Sequence, residues 1–382
     1  MAKSENSNLE MPDDNGNLSL LQRWHIDLPL LSGLFMCLAL SLFVLYSASG
    51  QHIDMLERQV VRTSAAFAAM ILFAQIPPKY LAKGALYLYI FSLIMLVLVE
   101  LFGDISKGAQ RWLNIGFMRL QPSEFLKLTM PLTIAAFLAR DSLPPKNTNI
   151  ILAFLLVGAP TILIVLQPDL GTGILVAVSG VIAIFLAGLS FWWIAAGIGL
   201  VGVAIPIMWN YVLHDYQKQR VLTLIDPESD PLGAGYHIIQ SKIAIGSGGI
   251  YGKGWLQGSQ SQLDFLPEPH TDFIFAVLAE ETGLIGFLIL MSIYLFIISR
   301  CVYITLNARS NFDRILAGTY TFTLPFYIFI NIGMVSGILP VVGVPLPMVS
   351  YGGTSMIILA VTFGIIMSIH THKKQTYFSS RN

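Results

Sequence analysis

The carboxylate best placed for proton transfer is Asp272. It closes the stretch Phe265-Leu266-Pro267-Glu268-Pro269-His270-Thr271-Asp272, directly ahead of a long apolar run. A carboxylate held at a membrane surface, beside positive charge, can take a proton from a hydroxyl nucleophile. The prolines stiffen the approach and keep the chain from joining the following helix early. The same spacing also suits a plain structural role for Thr271 or Asp272 as the N-cap of that helix. Local physics does not choose between the two, and spacing alone leans to the cap.

Positive charge gathers nearby. Lys107, Arg111 and Arg119 crowd one short segment, Arg58 and Arg62 stand near the start of another apolar run, and Lys127 lies one turn into a third. Such residues either snorkel to lipid headgroups or build an outward-facing site for an anionic substrate such as a lipid phosphate. Ionisable groups inside membrane spans are costly and usually face a wet cavity or the bundle interior. Glu124 and Lys127, at i, i+3, share one helix face, where they can line a cavity or form an ion pair that merely locks helices together. Asp169, in Gln167-Pro168-Asp169-Leu170-Gly171, can cap the helix that follows it.

The elements that must position these groups are membrane helices. Of 382 residues 55% are hydrophobic and only 12% charged, a balance foreign to soluble domains of this size. Apolar runs of roughly 17 to 25 residues recur, each long enough to cross about 30 Å of hydrocarbon. They are continuous and not alternating, which excludes barrel strands. The fold class expected is therefore all-α and polytopic. Ten spans are predicted over 28–48, 60–76, 85–102, 124–139, 150–167, 170–188, 191–213, 273–299, 314–338 and 353–371.

Residues 1–24 and 373–382 read as polar tails, 25–372 as one membrane domain, and 214–272 as its large extracytoplasmic loop. Lys79, Lys83, Arg140, Lys146, Arg300, Arg309, Lys373 and Lys374 mark the cytoplasmic side, so both termini are expected inside. The first residues lack a short apolar core with a cleavage site, so the first span is read as its own signal anchor. Net charge is zero, so the total says nothing about partners and only the distribution of charge can; no nucleic acid is expected. Cys37 and Cys301 fall in or beside spans and are expected as apolar thiols, with no disulfide. The glycines around 246–254 fit neither a phosphate loop nor a dinucleotide fingerprint. Gly333 and Gly337 form a GxxxG pair read as helix packing. The prolines at 340, 345 and 347, with Ser350-Tyr351-Gly352-Gly353, are read as an outer turn or re-entrant segment that helps to line the site.

Several stretches together resemble the SEDS family (shape, elongation, division and sporulation). They are Ser47-Ala48-Ser49-Gly50, Ile105-Ser106-Lys107-Gly108-Ala109-Gln110-Arg111-Trp112, Gln121-Pro122-Ser123-Glu124, Gln167-Pro168-Asp169-Leu170-Gly171-Thr172, His270-Thr271-Asp272-Phe273 and Val349-Ser350-Tyr351-Gly352-Gly353. The resemblance covers nearly the whole chain. Asp226 to Ile250, and Gly337-Ile338-Leu339-Pro340-Val341-Val342-Gly343, favour the elongation branch over the division branch.

The resemblance implies a ten-span peptidoglycan glycosyltransferase of the bacterial cytoplasmic (inner) membrane. Such an enzyme polymerises lipid II beside a class B penicillin-binding protein and the elongation machinery. It puts the catalytic aspartate on Asp272 and cavity or loop positions on Arg58, Glu124, Lys127, Asp169 and Gln217. Glu268, His270 and Thr271 join the expected substrate-binding set.

Lipid II carries an α-linked pyrophosphate and the product is β-linked, so one inverting displacement with one base suffices. A free Asp, with a pKa of about 3.9, is a weak base that partial desolvation would strengthen. Lys107, Arg111, Arg58 and Lys127 would stabilise the leaving pyrophosphate. A divalent cation such as Mg or Mn is admitted as a helper, although no ligand cluster proves one. The rival functions are a lipid II flippase, which would also need many spans and a polar cavity, and a non-catalytic scaffold for the penicillin-binding protein. A large outer loop ending in a carboxylate, and no paired broken helices in the two halves, favour the enzyme.

Overall fold

The structure is a computed structural model that describes residues 24–372, apart from 107–108, 115–118, 168, 214, 228–232, 264 and 267. Lys107 therefore lies outside the described residues. The order is α1 (Leu28–Ala48), α2 (Ile53–Ala74), α3 (Pro78–Phe102), strands β1 (Asp104–Ser106), β2 (Ala109–Asn114) and β3 (Arg119–Leu120), then α4 (Pro122–Leu138), α5 (Asn147–Leu166), α6 (Leu170–Leu186) and α7 (Phe191–Ile207). A π-helical turn, Met208–Val212, extends α7. Then come α8 (Asp215–Ile225), α9 (Ala234–Gly248), α10 (Ser259–Gln262), α11 (Ile274–Leu306), α12 (Asn311–Val335) and α13 (Thr354–Thr371).

Each predicted span coincides with one helix, α1 to α7 and α11 to α13. Among the described residues seven helices meet the length and hydropathy needed to cross a membrane, and α6 is a shorter apolar helix. The early boundaries were misjudged for a common reason. Arg58 and Arg62 lower hydropathy in α2, and Lys79 and Lys83 do so in α3, so these helices begin at Ile53 and Pro78, not at 60 and 85. Helix continuity depends on backbone bonding, which a charged side chain does not interrupt.

A second correction concerns the eighth span. Gly283, at φ +64° and ψ −155°, breaks α11 near its start. Ile274 to Glu281 are all buried in protein, whereas Leu284, Leu288 and Ile289 beyond the break are exposed. The lipid-facing part thus begins after Gly283. A Cβ there would collide with the backbone of Gly252 and Ile250, so only glycine admits this crossing.

The basic segment between α3 and α4 is also not pure loop. It forms a small antiparallel sheet of order β1-β2-β3, with Ile105 opposite Gln110 and Asn114 opposite Arg119. The large loop folds into α8, α9 and α10, of which α9 packs on the start of α11.

Helices pair as α2 with α13, α3 with α4, and α1 with α11. Glycine permits the closest of these approaches: a Cβ on Gly364 of α13 would clash with the Met70 carbonyl of α2. The GxxxG reading fails in its usual sense. Helix α12 ends at Val335, and Gly337, at φ +71°, lies past that end against Lys242 and Ile238 of α9. Away from the Asp272 end, Asp27 caps α1 through the Leu30 amide and accepts from Arg300 at 2.7 and 3.0 Å, tying α1 to α11. Cys37 and Cys301 are buried and free.

Candidate active site

The segment that carries Asp272 is held by its backbone. The carbonyls of His270, Thr271 and Asp272 each accept one hydrogen bond. Tyr351 donates through its amide at 2.9 Å, Ser350 through its hydroxyl at 2.6 Å, and Asn331 through its side-chain amide at 3.0 Å. Asn331, fully buried in α12, also donates to the Val344 carbonyl at 2.7 Å, and Ser350 Oγ accepts from the Leu346 amide at 2.8 Å. Two polar side chains thus stitch the 344–351 segment to the Asp272 segment and satisfy buried backbone groups that would otherwise be costly. This also resolves the re-entrant stretch anticipated around the prolines: its irregular backbone is paired within protein.

The capping alternative for Thr271 and Asp272 is overturned. The N-cap of α11 is Phe273, with no side-chain cap bond. Thr271 Oγ1 turns back to Glu268 Oε2 at 3.2 Å, and Glu268 itself sits at φ +44°. The Asp272 carboxylate lies against Gly343, whose hypothetical Cβ would be 3.5 Å from Asp272 Oδ2. Gly343 is at φ +73°, so the close approach and the backbone turn both call for glycine. His270 is half-buried, its ring edge-on to Tyr351 with centroids 5.8 Å apart. Burial lowers its pKa from the ordinary histidine value, against an opposing pull from Glu268.

Two clefts flank Gly343. The first, about 70 Å³, is lined by Glu124 and Lys127 of α4, Tyr327 of α12 and the stretch from Val344 to Met348. Glu124 accepts from Lys127 Nζ at 2.5 Å, and the pair is almost wholly buried. Lys127 Nζ also stands 5.5 Å from the centre of the Tyr327 ring. Glu124 lies in the first turn of α4, where the helix N-terminus favours negative charge.

The second cleft, about 280 Å³, is lined by Arg111, Asp169, Gln217, Arg220 and the run from Pro340 to Val342. Here Asp169 does cap α6 through the Thr172 amide at 3.3 Å, and Oδ2 meanwhile accepts from Gln121 at 3.2 Å and faces Arg111 Nε at 3.8 Å. Both readings of Asp169 hold together: the cap orients the carboxylate that orders the cleft.

The fold brings Arg111, Asp169 and Gln217 together, and Glu124 with Lys127, on opposite sides of the segment beside Asp272. Arg58 is not brought in; it is exposed on α2, and Arg62, one turn on, instead lies over the Tyr351 ring at 4.4 Å. Sequence reading missed Asn331, a polar side chain inside an apolar run, which the rule for intramembrane polar groups would have flagged. It missed Arg220 as well, whose guanidinium donates to the Val341 carbonyl at 3.1 Å. Among the described residues no three His, Cys, Asp or Glu side chains gather as a metal site.

Comparison with known proteins agrees with this architecture. A family model described as a cell cycle protein, covering FtsW, RodA and SpoVE, matches residues 21–375. The peptidoglycan glycosyltransferase MrdB of Escherichia coli K12 is 55% identical over 364 residues, 95% of this chain and 98% of that protein. The probable peptidoglycan glycosyltransferase FtsW of Coxiella burnetii is 36% identical over 292 residues, 75% of this chain and 78% of that one. Among solved structures, a peptidoglycan synthase complex that coordinates polymerization and crosslinking matches with TM-score 0.79 at 29% identity. The rod shape determining protein RodA of Thermus thermophilus matches with 0.70 at 27%; each match covers 91% of this chain and 98% of the other. A match of this extent makes the chain a member of the SEDS family, on its RodA branch.

Proposed function

We propose that this protein is a peptidoglycan glycosyltransferase that polymerises lipid II, with Asp272 as general base. The observation that carries the reading is the Asp272 segment, bonded at three successive carbonyls and set between two clefts that hold the charged residues. Polymerisation needs a donor and an acceptor on either side of one base, and a base fixed before substrate arrives pays no reorganisation during reaction.

In the proposed step, Asp272 takes the proton of the acceptor sugar's 4-hydroxyl as that oxygen attacks the donor's anomeric carbon. The bond to pyrophosphate breaks on the opposite face, and the configuration inverts from α to β. Arg111, Arg220, Lys127 and Arg62 supply the positive charge for an anionic leaving group, with Arg58 as an outlying contributor and Lys107, outside the described residues, kept from the sequence motif. Gln217, Glu124, Asp169, Glu268, His270 and Thr271 orient the sugars and the cations. Among the described residues no three His, Cys, Asp or Glu side chains form a Mg or Mn cage; a divalent cation bound with the pyrophosphate would add to the positive charge on the leaving group.

The ten helices cross the bacterial inner membrane with both termini in the cytoplasm and Asp272 on the far side. A class B penicillin-binding protein cross-links the strands made there. The deciding experiment is glycan synthesis from purified lipid II in detergent, with the penicillin-binding protein present but blocked at its transpeptidase site. Asp272→Asn is expected to lose about 10² to 10⁴ of the wild-type rate while melting normally. Equal polymer from both proteins removes Asp272 as the base, and none from either favours a flippase or scaffold.

A further inference from the structure

A cavity of about 490 Å³ opens between α3, α4 and α5, at the end of the bundle remote from Asp272. It is larger than both clefts beside Asp272, and the proposed reaction makes no use of it. Its size falls within the range of roughly 300 to 1,000 Å³ common for ligand sites. Ala82 and Leu86 of α3, Ala136 and Phe137 of α4, and Leu155 of α5 form much of the wall. Leu86 and Leu155 are 46% and 63% exposed, so the cavity opens sideways, toward the bilayer.

Two further wall residues, Tyr89 and Thr133, carry hydroxyls, and both are already committed. Tyr89 donates to the Leu156 carbonyl at 2.6 Å, and Thr133 to the Thr129 carbonyl at 2.7 Å. A buried water needs two to four polar partners, and these walls offer an occupant almost none. The body of that occupant is therefore apolar.

The mouth is different. Arg140, just past the end of α4, lines the cavity as its one charged residue among those described. No carboxylate pairs with it among the described residues, and its neighbour Asp141 accepts instead from Asn149 at 2.8 Å. Lys79 and Lys83 on α3, and Lys146 ahead of α5, stand at the same end.

We infer that this cavity binds an acyl chain of an anionic phospholipid, with Arg140 on the headgroup phosphate. An apolar slot open to the bilayer and capped by unpaired positive charge matches that shape and charge, as basic pockets between membrane helices do. A polyprenyl chain of the substrate fits less well: its pyrophosphate would lie at the Asp272 end, with nothing anionic to meet Arg140.

The test uses the full chain, stripped of lipid in detergent and offered equal phosphatidylglycerol and phosphatidylcholine, with retained lipid counted by native mass spectrometry. Wild type is expected to prefer phosphatidylglycerol about fivefold, the worth of one basic group at an anionic surface. Arg140→Gln should erase that preference and keep both lipids. Ala136→Phe should lose both while still polymerising; should it fail to melt like wild type, Leu155→Trp at the exposed lip replaces it. No preference in wild type, full retention by a folded cavity-filling variant, or displacement of phosphatidylglycerol by undecaprenyl pyrophosphate would each overturn the assignment.

Discussion

Two buried glutamate–lysine pairs occupy this molecule in opposite ways. Glu280, with no exposed surface, accepts from Lys253 Nζ at 2.7 Å, from the amides of Gln260 and Ser261 at 2.9 and 3.2 Å, and from Ser259 Oγ at 3.3 Å. The adjacent Glu281 accepts from Ser47 Oγ of α1. Together they latch the 248–262 segment onto the buried start of α11. Glu124 takes its lysine from its own helix, one turn away, and both side chains look into a cleft. A carboxylate saturated with donors has spent its bonding capacity on the fold. One with capacity left beside open space can still act on a ligand.

Removing the saturated carboxylate should have the largest effect on stability. Glu280→Ala leaves the Gln260 and Ser261 amides without a partner and Lys253 with Ser259 Oγ alone, and breaking a buried pair typically costs about 3 to 5 kcal/mol. Thermal melting in detergent is expected to show early unfolding and little folded protein to assay. Glu124→Gln makes the opposite case: melting should stay near wild type while polymerisation from lipid II falls at least about tenfold, or 1.4 kcal/mol of barrier. Equal losses of stability in both variants would break the distinction.

Asn331→Ala falls between them. It strips a donor from the carbonyls of Asp272 and Val344, at about 1 to 3 kcal/mol per buried group, and is expected to lower turnover more than substrate affinity. Gly343→Ala should cost about 1 to 2 kcal/mol for its left-handed backbone and slow turnover by pushing on Asp272, with expression and melting only slightly reduced. The smallest effect is expected from His270. Burial depresses its folded pKa, so the unfolded chain binds more protons in the interval below about 6.5. Its contribution to stability is full above that pH and is lost as pH falls through the lower folded value. Melting of wild type against His270→Asn, compared at pH 7.5 and pH 5, should converge at the acidic end.

The clefts and the latch were unequally legible in the linear chain. Glu124 and Lys127 could be paired because i, i+3 spacing on a helix is a local geometry. Glu280 and Lys253 could not, because their contact joins a loop to a helix interrupted at Gly283. Gln217 was named from the family resemblance and Arg111 from a cluster of positive charge, and only the fold shows them sharing a cleft with Asp169. The misplaced cap at Asp272 and the misread GxxxG pair have one origin. Both were judged on spacing, while the competing partners, Glu268 for Thr271 and α9 for Gly337, come from turns that spacing does not encode.

What sequence alone determined was the solvent and the periodic elements. Continuous apolar runs must become helices in lipid, because every backbone group has to be paired within its own segment. The family motifs likewise name Asp272 without any coordinates. Only tertiary structure decided how Asp272 is held, which charged residues share a cleft, and which buried carboxylate is already consumed by the fold. These depend on contacts between residues far apart in the chain, such as Asn331 with Asp272 or Lys253 with Glu280, and on irregular backbone at Gly283 and Gly343 that no local pattern specifies.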